Sequence, residues 1–151
     1  SAFSSTGRLL AAGTDGGDVL LWDWTDPARP QELRRLLGPR AGINTVAFSP
    51  DGSLLVAAGT GDYLWAWDLT RDDPAAVLSV PAEMGSVHDV QFLAGGALIA
   101  ATGATGEVRV WGTDPDAERP VLCSVRGEPL TDGEWELYLP GIPRIDPCSD
   151  R

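Results

Sequence analysis

Residues 43–69 read INTVAFSPDGSLLVAAGTGDYLWAWDL. Three short apolar runs, INTVAF, SLLVAAG and YLWAWDL, are divided by Ser49-Pro50-Asp51-Gly52 and by Thr60-Gly61-Asp62. Each run has the length of one strand, and each break holds Pro, Gly or Asp, whose backbone preferences suit tight turns. The stretch therefore reads as an antiparallel meander.

The pattern is written twice more. Phe3 and Trp22, Phe48 and Trp67, and Phe92 and Trp111 each stand 19 positions apart, and the Trp-to-Trp steps are 45 and 44 residues. Gly7, Gly52 and Gly96 fall on the same ruler, each followed two positions later by Leu9, Leu54 or Leu98. A period of about 40–45 residues closing on Trp-Asp marks one propeller blade of four strands. Trp22-Asp23 and Trp67-Asp68 carry that ending, whereas Trp111-Gly112 departs from it at the second letter. Phe48-Ser49-Pro50-Asp51-Gly52 is another phrase of this kind, and Phe3-Ser4-Ser5-Thr6-Gly7 is a looser copy. On these residues the chain resembles a WD-repeat β-propeller over about positions 3–125. The resemblance implies an all-β fold of about three blades, each of four antiparallel strands, forming part of a ring.

On this reading blade A spans 1–38 with a truncated inner strand, blade B spans 39–81 and blade C spans 82–125. In blade A the strands are expected at residues 1–4, 8–13, 18–24 and 32–37, with Asp15-Gly16-Gly17 as a turn. Blade B adds an outer strand over 76–80, and blade C takes strands at 87–93, 97–103, 107–112 and 121–125. Runs such as Leu54–Gly59 do not alternate between apolar and polar, which fits sheets covered on both faces. The tail, 126–151, changes character. Thr131-Asp132-Gly133-Glu134 is a capping-box pattern, and Trp135, Tyr138 and Leu139 then share one helical stripe. A short C-terminal helix ending at Pro140-Gly141 and an extended strap are expected there. This ending resembles the helical tails that follow propellers in multidomain bacterial signalling proteins.

A blade has two apolar faces and needs a neighbour on each, while propellers close with typically four to eight blades. The reading is therefore a C-terminal part of a larger propeller, completed by blades on another chain or another fragment of the same protein. A homo-oligomer that closes one ring is the alternative.

Composition narrows the function. The net charge is −11 with a pI near 4.3, and every cationic side chain is Arg. A phosphate-binding surface needs clustered cations, so no nucleic-acid partner is expected. No apolar run reaches the length of a membrane helix, so no membrane partner is expected either. Cys123 and Cys148 are too few for a disulfide framework. They read as free thiols in a cytoplasmic protein, with a strap-to-blade disulfide as the alternative.

No catalytic constellation, metal-ligand spacing or cofactor motif is present, so no catalytic residue, metal or cofactor is assigned. His88, the one histidine, adjoins Asp89 in an inner strand, where neighbouring side chains point to opposite faces. The WD-repeat resemblance implies a hydrogen-bond network of His, turn Asp and Trp, yet Gly38-Pro39, Gly61 and Thr105 stand where its His and Asp belong. Packing must replace it, which makes Phe48, Phe92, Trp67 and Trp111 core residues. By the same resemblance, the loops before the inner strands and between second and third strands receive a protein or peptide partner. Arg40, Asn44, Asp62, Tyr63, Met84, His88 and Glu107 are the candidate contacts. The leading expectation is a non-enzymatic scaffold or sensor module. The alternatives are part of a propeller enzyme, with its key residues on other blades, or a small-ligand sensor using His88, Tyr63 and Asn44.

Overall fold

Apolar runs that lack strict alternation become, in the folded chain, strands with both faces covered. The computed structural model describes residues 1–38, 40–72, 76–114 and 131. The chain divides into two compact units, Ser1–Thr113 and Asp114–Arg151. The strand expected at 121–125, the tail helix, the strap and both cysteines lie outside the described residues.

Three antiparallel meanders fill the first unit. β1 (Ala2–Phe3), β2 (Leu9–Gly13), β3 (Val19–Asp23) and β4 (Gln31–Leu36) form one four-stranded sheet in chain order. β5 (Ile43–Phe48), β6 (Leu54–Gly59), β7 (Tyr63–Asp68) and β8 (Ala76–Pro81) form the second. β9 (Val87–Leu93), β10 (Leu98–Gly103) and β11 (Val108–Gly112) form the third, with three strands among the described residues. A single 3-10 turn at Ala94–Gly96, which the sequence reading did not anticipate, joins β9 to β10. The period recurs in the register: Phe3 pairs with Leu10, Phe48 with Leu55 and Phe92 with Ile99. Leu10, Leu55 and Ile99 pair in turn with Trp22, Trp67 and Trp111.

The core lies between the sheets rather than inside any one of them. Leu55, Ala57 and Trp67 pack toward blade A with Ala11, Val19, Leu21, Leu36, Ile43 and Val46. Val56, Ala58, Leu64 and Ala66 pack toward blade C with Ala82, Met84, Val87, Val90, Ile99 and Ala101. The period-2 geometry of a strand sends alternate residues of β6 into two different cores, so every residue from Leu55 to Gly59 is buried. Trp67 is fully buried and stacks on Trp65 at 6.5 Å.

Packing of this density leaves no room for side chains where backbones cross. A Cβ on Gly59 would stand 1.8 Å from the Gly42 oxygen, and one on Gly38 would stand 2.1 Å from the Gly17 oxygen. The glycine at 38 thus belongs to a backbone crossing next to Trp67, whose ring lies 3.7 Å from that position.

The outward faces of the terminal sheets differ from blade B. On blade C, Leu93, Leu98, Val108 and Val110 are exposed, Val108 by 66%. Their register places Leu98 opposite Leu93 and Val110 opposite Ala100, so they share one face. On blade A, Phe3 is 52% exposed and meets Trp24 edge to face at 5.7 Å.

Short polar turns fasten the other edges. Asp51 Oδ1 accepts hydrogen bonds from Ser49 Oγ at 2.6 Å and the Ser53 amide at 3.0 Å. Ser49 Oγ in turn accepts the Leu54 amide at 2.9 Å. The Ser49 hydroxyl first, then the Ser53 amide, hold the Asp51 carboxyl at about 2, below its ordinary 3.8. The aspartates of the two Trp-Asp pairs also cap turns. Asp23 accepts the Thr25 amide at 2.8 Å and Asp68 the Thr70 amide at 3.0 Å, and both carboxyls are lowered, chiefly by those threonines.

Because the Asp51 value is depressed in the fold, its stabilisation is fully present above about pH 4. It is lost as the pH falls through 3.8 toward about 2. Urea denaturation of the wild type and Asp51→Ala should show a stability gap at pH 6 that narrows steadily between pH 4 and 2. A gap of constant size would contradict the assignment.

Candidate partner-binding end of the blades

Five connections gather at one end of the first unit, their described residues being 14–18, 37–38 with 40–42, 60–62, 82–86 and 104–107. Backbone bonds hold them to one another. The Ile43 amide donates to the Thr14 oxygen at 3.0 Å, joining blade B to blade A. The Thr60 amide donates to Gly42, Ala82 to Asp62 and Ala104 to Ser86, each at 2.8 or 2.9 Å.

Asp62 sits at φ 54, in the left-handed region that Asp tolerates better than most residues. That conformation lets its Oδ1 accept the Met84 amide at 2.8 Å while its carbonyl accepts Ala82. Asp62 therefore braces the connection to blade C from the β6–β7 turn, one position beyond Gly61. Its carboxylate is occupied by the fold.

Met84 is the clear correction. Expected as a partner contact, it is fully buried between blades B and C, because the Asp62 brace turns its loop inward. Asn44 is exposed, but its amide donates to the Val87 oxygen at 2.8 Å and to Ser86 Oγ at 3.1 Å. It works as a clamp between the inner strands of blades B and C. Thr45 adds to that clamp, donating from Oγ1 to Asp89 Oδ1 at 3.3 Å.

The remaining candidates face solvent. Arg40 is exposed at φ 55, Tyr63 is 45% exposed at the start of β7, and His88 is exposed on β9. Asp89 directs its second oxygen to Gln91 Nε2 at 3.3 Å, so the carboxylate engages Thr45 and Gln91. Glu107 lies 3.6 Å from Arg109 Nε, and Glu83 receives Arg109 Nη1 at 2.7 Å. The Glu83 hydrogen bond, and then the charges of Glu83 and Glu107, push the guanidinium pKa up. The sequence reading placed Glu107 in this end but passed over Arg109, the cation that pairs with it and with Glu83. The signal available was Glu-Val-Arg at 107–109, which puts both side chains on one face of a strand. Among the described residues no group of three or more His, Cys, Asp and Glu could hold a metal ion. No helix among them is long and apolar enough to cross a membrane.

The family profile "WD domain, G-beta repeat" matches residues 1–23 and 30–68. The chain is 30% identical over 120 residues to Protein LST8 homolog of Drosophila melanogaster, covering 76% of this chain and 37% of that protein. It is 32% identical over 108 residues to WD repeat and SOCS box-containing protein 1 of Takifugu rubripes, covering 70% and 24%. Among solved structures it resembles the Myceliophteria thermophila Cps50 (Swd1) β-propeller domain, with TM-score 0.65, 24% identity, and coverage of 76% and 35%. It also resembles Chaetomium thermophilum Sqt1 bound to the N-terminus of ribosomal protein L10, with TM-score 0.66, 26% identity, and coverage of 74% and 30%.

The fold and the repeats thus agree, and the chain is similar to the WD-repeat β-propeller proteins. It spans little more than a third of the length of the first of these relatives and less of the second. These relatives are eukaryotic and lend nothing to the likeness between its tail and bacterial signalling proteins.

Asp62→Ala should cost about 1–3 kcal/mol, the usual loss for a hydrogen bond from a buried amide to a carboxylate. Asp62→Asn, which keeps an acceptor oxygen, should cost less. Thermal denaturation of the pair checks this, and equal losses would contradict the brace.

Proposed function

We propose that this chain is part of a WD-repeat propeller that acts as a non-enzymatic protein-interaction scaffold in the cytoplasm. Further blades, on another segment of the same protein or on a partner chain, complete its ring. One observation carries the reading: blade B is apolar and buried on both faces, while the equivalent outward face of blade C leaves Leu98, Val108 and Val110 in water. Exposed apolar sheet faces of this kind mark surfaces that another element covers. A neighbouring blade has the matching shape, since blade B already packs that way on both sides.

Closing the ring would turn the gathered loops into one rigid rim. Arg40, Tyr63, His88, Glu107 and the Glu83–Arg109 pair are the side chains that this rim offers to a protein or peptide. Sqt1, the relative solved with the N-terminus of ribosomal protein L10, supports a peptide ligand for a propeller of this kind. Loops held on a rigid scaffold are where such recognition concentrates.

The test uses cysteine as a reporter, with Cys123 and Cys148 replaced by Ala. In the 151-residue chain, Val108→Cys should react readily with a water-soluble maleimide. In the complete polypeptide of the source organism the same thiol should be protected. Equal reactivity in both would overturn ring completion. Peptides selected against the complete protein should lose binding on Tyr63→Ala, and retained binding would remove the rim from the proposal.

A further inference from the structure

Two Asp-Gly sequences lie in the described turns of this chain, and the fold treats them in opposite ways. At Asp51-Gly52 the carboxylate is pinned by Ser49 and Ser53, and the Gly52 amide donates to the Ser49 oxygen at 2.9 Å. Its carboxyl is also held ionised, at about 2, by the Ser49 and Ser53 donors. At Asp15-Gly16 both residues are exposed, and among the described residues neither the Asp15 carboxylate nor the Gly16 amide has a hydrogen-bond or ion-pair partner. Nothing but Thr14 Oγ1, 3.7 Å away, lies near the position of a Cβ on Gly16. Attack of a backbone amide on the preceding side-chain carboxyl is fastest where three conditions meet: a free nitrogen, an unpinned carboxyl and no side chain in the way.

We propose that Asp15-Gly16 is a site of spontaneous isoaspartate formation, and that the conversion loosens the junction between blades A and B. The Gly16 nitrogen bonds to Asp15 Cγ, loses its proton to solvent, and the carboxyl oxygen departs as water, leaving a succinimide. Water then adds to the Asp15 main-chain carbonyl carbon and breaks its bond to the Gly16 nitrogen. The chain now runs through Cγ, and the former main-chain carbonyl becomes a free carboxylate. One water leaves and one returns, and nothing is oxidised or reduced.

The consequence follows from what the turn supports. Thr14, directly before Asp15, accepts the Ile43 amide at 3.0 Å, the bond that starts blade B. Gly17, directly after Gly16, lies at φ 93 beneath the Arg40 and Ala41 backbone, where a Cβ would stand 2.7 Å from either nitrogen. The Gly17 amide also donates to the Thr14 oxygen at 3.2 Å, and the Asp15 oxygen sits 3.6 Å from a Cβ built on Gly42. Inserting a methylene into the main chain between Thr14 and Gly17 displaces one of these two supports relative to the other. The A–B junction then opens at the end that carries the exposed loops.

The purified 151-residue chain is held at pH 7.4 and 37 °C, and isoaspartate is located by peptide mapping, which separates positions 15, 51 and 132. Isoaspartate should accumulate at position 15 many-fold faster than at position 51. Gly16→Ala, which the open turn accommodates, should slow it several-fold. In the converted fraction the Ile43 amide should exchange its hydrogen faster than in fresh protein, and aged Gly16→Ala should not show this change. Equal rates at positions 15 and 51, or indifference to Gly16→Ala, would overturn the site. Unchanged Ile43 exchange in the converted fraction would overturn its link to the blade junction.

Discussion

The structure depends on the burial of β6 on two sides. Leu55 and Ala57 lie in one core, Val56 and Ala58 in the other, and no side chain of that run reaches water. A strand of this kind cannot be stable in a lone sheet, because one of its faces would always be wet. Blade B therefore exists only between neighbours, and the apolar area removed from water belongs to pairs of blades. The same constraint sets the backbone crossings at Gly38 and Gly59, where sheets and linkers approach too closely for any side chain.

Polar contacts take a different part. They fix edges and joints rather than supply the main driving force. Asn44 and Thr45 clamp β5 to the start of β9, Asp62 braces the linker into blade C, and Arg34 Nη1 reaches the Arg71 and Asp72 carbonyls at 3.3 and 3.1 Å across blades A and B. Most of these bonds cross from one blade to the next. They hold the relative rotation of sheets that apolar packing alone would leave free to slide. Exposed loops can then present Arg40, Tyr63 and the Glu83–Arg109 pair in a set arrangement.

Much of the fold was legible because the Phe, Gly and Trp rulers place strand centres and turns independently, and the strand bounds differ from expectation by a residue or so at several ends. The loop chemistry was less legible. A search for an aspartate at 61 found glycine and inferred a missing contact, whereas a positive φ lets Asp62 reach the next blade from one position further on. Met84 reads as exposed from its place in a connection between strands, and only the path of the Asp62 brace buries it. The Asn44 clamp depends on which blade lies opposite, a fact of tertiary register that no local pattern encodes. Trp65 Nε1 is buried with no hydrogen-bond partner among the described residues.

Hydrogen exchange resolved to single amides tests the two-sided burial of blade B most directly. The account predicts the slowest exchange in the described sheets at Leu55, Val56, Ala57 and Ala58, with β2 and β10 of the flanking blades faster. Exchange in β2 or β10 as slow as in β6 would contradict it, for the sheets would then be stable one by one, without their neighbours.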